Sequence, residues 1–587
     1  MERCAFCEDG RTVLSFQSDK QPNMSKMPKF TEEEKAQLAK YVTDTEGDIF
    51  AVTNLPGIVG AVYARYSRAQ GGFRETLLKE FIKDGNIDVV KAGDLIERVL
   101  IAFGDDSVGE LEGTHVSFEN MSILATKEIE DRRIGGSPIE QSTRYVFYDR
   151  KGDDGEFRYY RDAKVMASGH AQAYVETMDF IFATYCELVE PMKAYYMGLK
   201  SIDEAAYDVV GDGVKRHLAE LTDEKHKKAF SITYNSDIRT KACDTLRALL
   251  PIATLTNVGV FGNGRFFQNV LTHCHSSPID EVRDIAAKSQ AELSKIIPRY
   301  VQRAKPNAYA TATRANMATL ANVLFAGVAP GAGPEVDLLD RGGSAVLKAV
   351  LDGGMRPESV ERAILAEEDN LAMALMLYPY LPHALRQIRA IVRDLTEDKK
   401  ELIRATYIGD RKTRRDRSGR ALEAGYPYTF DLITDFGTYK DLERHRMMTQ
   451  QRQRFTPTLG FNMPEDLVRA GFADKAQACV EKAVALYERL RAEHPEAASY
   501  ATLHGSRVRW TMGINDRALM HMIELRTTPQ GHPSYRRICQ MMHKAVAARS
   551  AWRGEAMKFA DHGDYFWSRA DSEAKQRVKE AALETKE

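Results

Sequence analysis

Apolar and polar positions alternate with a period of two in GTHVSFEN (113–120) and in YTFDL (428–432), and each run predicts a strand. Between and around these runs the apolar spacing turns helical. The segment HAQAYVETMDFIFATYCELVEPMKAYYMG (170–198) predicts a helix, and we read it as part of an inserted helical hairpin with no chemistry of its own. TEEEKAQLAKYVT (31–43) opens with Thr31 ahead of three glutamates, which is helix N-cap chemistry. The clearest break is FAGVAPGAGPEVDLLDRGGSA (325–345), rich in Gly and Pro and just past the middle of the chain.

That break nearly halves the chain, so the two parts can be compared. Three ordered pairs of segments match. SVGELEGTHVSFEN (107–120) and SGRALEAGYPYTFDL (418–432) each carry a glutamate, Glu110 or Glu423, ahead of the alternating run. EDRRIGGSPIEQSTRY (130–145) matches ERHRMMTQQRQRFTP (443–457); 22 positions separate Glu110 from Arg132, and 21 separate Glu423 from Arg444. FGNGRFFQNVLTHCHSSPIDEVRDIA (261–286) matches GINDRALMHMIELRTTPQGHPSYRRIC (513–539) through Asn263-x-Arg265 and Asn515-x-Arg517, each followed by a later arginine, Arg283 or Arg536. Three matches in one order point to a duplication. The expected organisation is a polar leader over 1–30, a first repeat over 31–325 with a helical insertion at about 160–250, a linker over 326–345, and a second repeat over 346–587.

Composition narrows the function classes. With 587 residues, 43% hydrophobic, 28% charged and a net charge of −2, the chain has no global field for nucleic acid or membrane. No apolar run is long enough to cross a bilayer, and the N-terminus lacks the pattern of a signal peptide. Seven cysteines, odd and sparse, fit a reduced cytoplasmic setting. Cys4 and Cys7 form one CxxC without a second half, and His273-Cys274-His275 reads as structural, so no metal site is expected.

The local chemistry is anion chemistry. Arginine holds phosphate through a planar fork that stays charged at any working pH. Arg444, His445 and Arg446 sit side by side, and Ser142-Thr143-Arg144 sets hydroxyls beside a guanidinium. The charge run RKTRRDRSGR (411–420) reads as a solvated face. No GxGxxG after a strand, P-loop or GxSxG elbow occurs, nor a Pro-Cys pair to supply a thiol nucleophile.

These residues carry a resemblance. RHRMMTQ (444–450) is similar to the Arg-His-Arg signature of flavin-dependent thymidylate synthases, commonly RHRxxSxNEQSxRY, and SPIEQSTRY (137–145) resembles its second part. The Asn-x-Arg segments with EVR (281–283) or YRR (535–537) resemble the family's C-terminal motif, and the double length resembles its long, duplicated members. The departures are complementary. The first half keeps Glu140, Gln141, Ser142 and Arg144 but has Arg132-Arg133-Ile134 in place of Arg-His-Arg; the second keeps Arg444-His445-Arg446 but has Thr449, Arg454 and Thr456 at serine and arginine positions.

The resemblance implies an α+β fold: two tandem repeats, each a small mixed sheet flanked by helices, forming a pseudo-dimer. It implies reductive methylation of dUMP to dTMP with methylene-tetrahydrofolate, FAD and NADPH. It implies one composite site. Arg444, His445, Arg446 and Thr449, with Asn263, Asn515 and Arg517, would face the cofactor; Glu140, Gln141, Ser142, Arg144, Arg265 and Arg283 would face dUMP. Arg283, then Arg536, are the candidates to stabilise charge on the uracil carbonyls, with His445 a flavin contact or proton carrier. A homodimer, a cytoplasmic location and no membrane or nucleic-acid partner are expected. Two other readings remain open: a flavin- and folate-dependent methylase of another uracil-containing substrate, and a degenerate nucleotide-binding or regulatory homologue.

Overall fold

The computed structural model describes residues 30–55, 58–66, 72–83, 86–88, 109–132, 134–339, 346, 349–354, 359–410, 412, 419–423, 428–567, 574–575 and 578, without the side chains of 361, 422, 423 and 552. The chain divides into two compact units, Met1–Glu112 and Gly113–Glu587. In the first, Thr31 caps the helix Glu32–Leu38 reciprocally: its hydroxyl accepts from the Glu34 N–H at 3.2 Å, and Glu34 Oε2 accepts from the Thr31 N–H at 2.8 Å. A second helix, Val59–Tyr66, and a third that runs from Phe73 into a π-helical turn ending at Phe81 bury Leu38, Val62, Phe73 and Leu77.

In the second unit a similar order of elements occurs twice, with one more long helix in the first pass. The first pass is β1 (Gly113–Ser122), α1 (Ile123–Glu130), β2 (Gly136–Glu140), α2 (Ala171–Leu199), α3 (Glu224–Leu246), β3 (Leu255–Asn263), α4 (Gly264–His275) and α5 (Asp280–Leu293). Helices α6 (Ala308–Leu324), α7 (Val360–Leu377), α8 (Leu385–Arg393) and α9 (Glu397–Ile408) follow, with the short β4 (Val336–Leu338) after α6. The second pass is β5 (Tyr428–Asp435), α10 (Phe436–Leu442), β6 (Met448–Arg452), α11 (Ala473–Leu490), β7 (Arg507–Ile514), α12 (Asp516–Arg526) and α13 (Pro533–Arg549).

Each pass builds an antiparallel sheet with its last strand in the centre: β1–β3–β2 and β4–β5–β7–β6. Both predicted alternating runs are strands, and the architecture is mixed, with small antiparallel sheets among helices. The Gly/Pro-rich stretch carries β4, because its EVDLLD segment alternates well enough to pair Val336 with Leu432 and Leu338 with Phe430.

Helices α6 to α9 build one apolar core, with Met317, Leu371, Leu377, Ile388 and Ile403 buried together. Asp431 ties this core to β5: Tyr378 Oη and the Leu385 N–H both donate to its carboxylate at 2.8 Å. In the first pass, α2 and α3 pack on each other and α11 packs on α2, enclosing Tyr174, Tyr185 and Tyr196. Among the described residues, no helix is long and apolar enough to cross a membrane.

Candidate functional site

Helices α1 and α10 start alike. Ser122 accepts from the Ala125 N–H at 3.0 Å and Asp435 from the Thr438 N–H at 2.7 Å, each an N-cap three residues ahead. Five residues beyond each cap stands a lysine, Lys127 or Lys440, and eight beyond stands a glutamate, Glu130 or Glu443. After each helix a short loop leads into β2 or β6.

These equivalent residues meet. Lys127 Nζ donates to Glu443 Oε1 at 2.7 Å, to Glu140 Oε2 at 3.2 Å and to Glu130. Lys440 Nζ lies 2.9 Å from Glu140 Oε1, and Arg444 Nη2 donates to Glu140 Oε2 at 3.2 Å. Three cations and three carboxylates therefore share one cluster, buried except where Arg444 reaches solvent, its side chain 38% exposed. Burial alone would raise the Glu140 carboxyl, but Lys127, Lys440 and Arg444 outweigh it and hold the group well below the usual carboxylate range. Burial lowers Lys440, against the pull of Glu140 and with the push of Lys127. Burial raises Glu130, Lys127 opposing. Lys440 Nζ, Glu130 Oε1 and Glu443 Oε2 are buried with no well-aligned hydrogen bond among the described residues.

The Arg-His-Arg loop crosses to β2. Besides Arg444 on Glu140, Arg446 Nη2 donates to Ser137 Oγ at 2.6 Å. His445 Nε2 accepts from Arg526 Nε at 3.0 Å; a guanidinium has no acceptor, so this ring nitrogen carries a lone pair. Arg526 lies over the Tyr535 ring at 5.7 Å, and Arg144 lies over the same ring at 5.8 Å.

Arg144 is thus joined to the loop through Tyr535, but its fork is occupied. Nε and Nη2 each donate to Asp244 of α3 at 2.6 Å. Nearby, Arg247 donates twice to Asp441 at 3.2 Å. Burial would raise the Asp441 carboxyl, but Arg247, Arg144, His532 and Arg444 bring it down to about 2.

Other predicted residues lie elsewhere. Asn263 and Asn515 cap α4 and α12, accepting from Phe266 N–H at 2.8 Å and Ala518 N–H at 2.9 Å. Gln141 accepts from Asn257 Nδ2 at 3.3 Å, and Ser142 Oγ accepts from the Arg144 N–H at 3.2 Å. Thr449 is half-buried opposite Gly513. Arg265 is half-buried and Arg517 exposed. Arg283 donates to the Ser277 carbonyl at 2.7 Å and to Asp280. Beside it in EVR, Glu281 accepts from the Ser122 N–H at 2.7 Å and from Tyr500 Oη at 2.6 Å, tying α5 to the end of β1. Arg536 is buried, donating to the Thr527 and Gly563 carbonyls at 2.9 and 3.0 Å. No described contact brings Arg283 or Arg536 to the cluster. A cavity of about 540 Å³ between β1 and α5, lined by His115, Phe118, Tyr160, Glu281 and Lys288, holds none of the predicted site residues.

The reciprocal loop is wired differently. Arg132 Nη2 pairs with His273 Nδ1 at 2.8 Å, and His273 Nε2 faces Glu128 at 3.0 Å. Ile134 is exposed, Arg133 lies outside the described residues, and Arg454 donates to Glu496 at 2.6 Å and to the Pro495 carbonyl at 3.1 Å. Cys274 is buried and His275 faces Gln290 at 2.7 Å, so the His-Cys-His triplet points to three separate surroundings.

Lys127, Lys440, Glu443, Asp244, Arg526 and Tyr535 were missed by sequence reasoning. The repeated Lys-acid-apolar-Glu, KEIE (127–130) and KDLE (440–443), is the signal that could have found the lysines.

Known proteins resemble the chain along most of its length. The family described as "Thymidylate synthase complementing protein" matches residues 56–299 and 372–550. The "UPF0159 protein" of Chlamydia muridarum is 35% identical over 94% of this chain and 100% of its own length. The corresponding protein of Chlamydia pneumoniae is 34% identical over 94% and 99%. "UPF0159 protein Ta1429" of Thermoplasma acidophilum is 28% identical over 89% and 99%.

Proposed function

The chain belongs to the thymidylate synthase complementing protein family, the flavin-dependent one, and from that premise we propose that it is a thymidylate synthase that methylates dUMP to dTMP. Methylene-tetrahydrofolate would give the carbon, and FAD reduced by NADPH, when bound, supplies the hydride. The observation that carries this reading is the crossing of the Arg-His-Arg loop onto β2, with Arg444 on Glu140 and Arg446 on Ser137. The two retained parts of the signature, far apart in sequence, adjoin there, as a composite site in a pseudo-dimer of repeats requires.

The donors fit an anionic cofactor and substrate. Arg444 and Arg446 are exposed enough to turn a fork outward, and His445 stands between them with Arg526 behind it. In this reading Arg444 and Arg446 hold ligand phosphate or flavin, and His445 orients the ring system. Glu140 anchors Arg444, while the buried lysines hold Glu140 ionised. Ser142 and the Arg144 region bind the dUMP phosphate, which requires Arg144 to exchange Asp244 for that phosphate. Thr449 lines the start of β6.

One observation favours a second reading. Arg144 is already neutralised by Asp244 at two contacts of 2.6 Å, the arrangement a nucleotide-binding or regulatory homologue without turnover would keep. The deciding experiment is the visible spectrum of the purified protein with and without dUMP. A flavin band that dUMP shifts supports the synthase; a colourless protein that takes up no added FAD overturns it.

A further inference from the structure

We infer that His170, Glu493 and His494 form a site for a divalent transition cation of the zinc type. Their ligand atoms all lie within 4.8 Å of one another. His170 Nε2 and Glu493 Oε2 are 3.3 Å apart, and a tetrahedral centre with bonds of about 2.0–2.1 Å sets its ligands about 3.3 Å apart. The two imidazoles meet edge to face, 5.8 Å between centroids and 88° between planes, so they do not stack.

An ordinary ion pair accounts for His170 and Glu493 but not for His494. Its Nε2 is buried with no hydrogen-bond partner, and a buried imidazole nitrogen left unpaired is costly. His383 Nδ1 and His504 Nε2 share that condition, but among the described residues it is His494 that stands with a second imidazole and a carboxylate close enough to hold one ion. A cation satisfies all three side chains at once. His170 is free to ligate, since it stands at the N-cap of α2 without a capping hydrogen bond from its side chain. Glu493 is 68% exposed, which gives the ion a route in and leaves a position for water. Two imidazoles and one carboxylate are donors of the borderline kind that zinc and its neighbours take.

The site shares no residue with the arginine cluster, and its role is structural. It staples the start of α2, the first helix of the insertion, to the turn after α11. That turn also holds Arg454 through the Pro495 carbonyl and Glu496.

The test uses tag-free full-length protein stripped with a chelator, and Co²⁺ as the probe. One equivalent of Co²⁺ is expected to give visible d–d bands that added Zn²⁺ removes, and Zn²⁺ is expected to raise Tm. His494→Ala and His170→Ala should each abolish both signals while keeping the wild-type far-UV circular dichroism. Glu493→Gln should weaken Co²⁺ binding tenfold or more, on the order seen when a site loses a supporting group. Absence of the bands in wild-type protein in metal excess overturns the inference. So does their persistence in the His170→Ala/His494→Ala double variant.

Discussion

Helices α1 and α10 start alike, and the residues that follow them differ in wiring. After α10, Arg444 reaches across to Glu140 at the end of β2; after α1, the matching Arg132 turns back to His273 within its own half. The cause lies at the strand ends. Glu140 closes β2, and Arg452 stands at the matching end of β6, paired to Glu128. Glu140 draws two lysines and an arginine inward, while Arg452 in the matching place is held by Glu128. A change of charge sign at that position thus accompanies a loop that reaches the other sheet in one case and stays on its own half in the other.

The most disruptive way to break that asymmetry is Glu140→Ala. It takes from Lys440 and Arg444 the carboxylate they share, and losing one partner of a buried charge cluster costs about 3–5 kcal/mol. Urea unfolding measures it; a loss below about 1 kcal/mol would contradict the cluster described here.

Next is Arg444→Ala, expected to lower dTMP formation by roughly 10²–10³-fold, the scale for losing one preorganised donor. Arg144→Ala should do the same, and the double variant should be no worse, as for residues that act as a unit. Full activity in Arg444→Ala would remove the composite site.

Acid then sharpens the contrast. Glu128 and Asp441 are brought down to about 2 by their arginines against burial, below unfolded values of about 4. Their contribution is complete above the unfolded value and is lost as pH falls toward 2. It amounts to about 2–3 kcal/mol for such a group. Arg452→Ala should flatten the part that belongs to Glu128, read as unfolding free energy against pH. The smallest effect belongs to Arg454→Ala, whose surface pair with Glu496 is worth less than about 1 kcal/mol and whose activity should stay at the wild-type level.

The strands and N-caps were legible because their signals are local: the period of two in GTHVSFEN, and Thr31 before its glutamates. The described parts of the three paired segments likewise fall on corresponding strands and helices of the two passes. The cluster was not legible, since Lys127 finds Glu443 at a separation of 316 positions and no spacing rule spans that. Nor was the capture of Arg144. Asp244 comes from α3, whose sequence gives no sign that one of its carboxylates reaches the signature arginine. The Asn-x-Arg motifs were legible as positions, while their asparagines stand as helix caps.

The separation of Lys127 from Glu443 also sets an order of events in time. A ribosome adding roughly 5–20 residues per second releases the lysine roughly 15–60 seconds before its most distant carboxylate. Through that interval the first half holds a cation meant for a dry interior, with Glu130 and Glu140 the acids in hand. Its assembly therefore waits until Glu443 has been made, and a nascent chain arrested before that residue keeps that interior open to water and to chaperones.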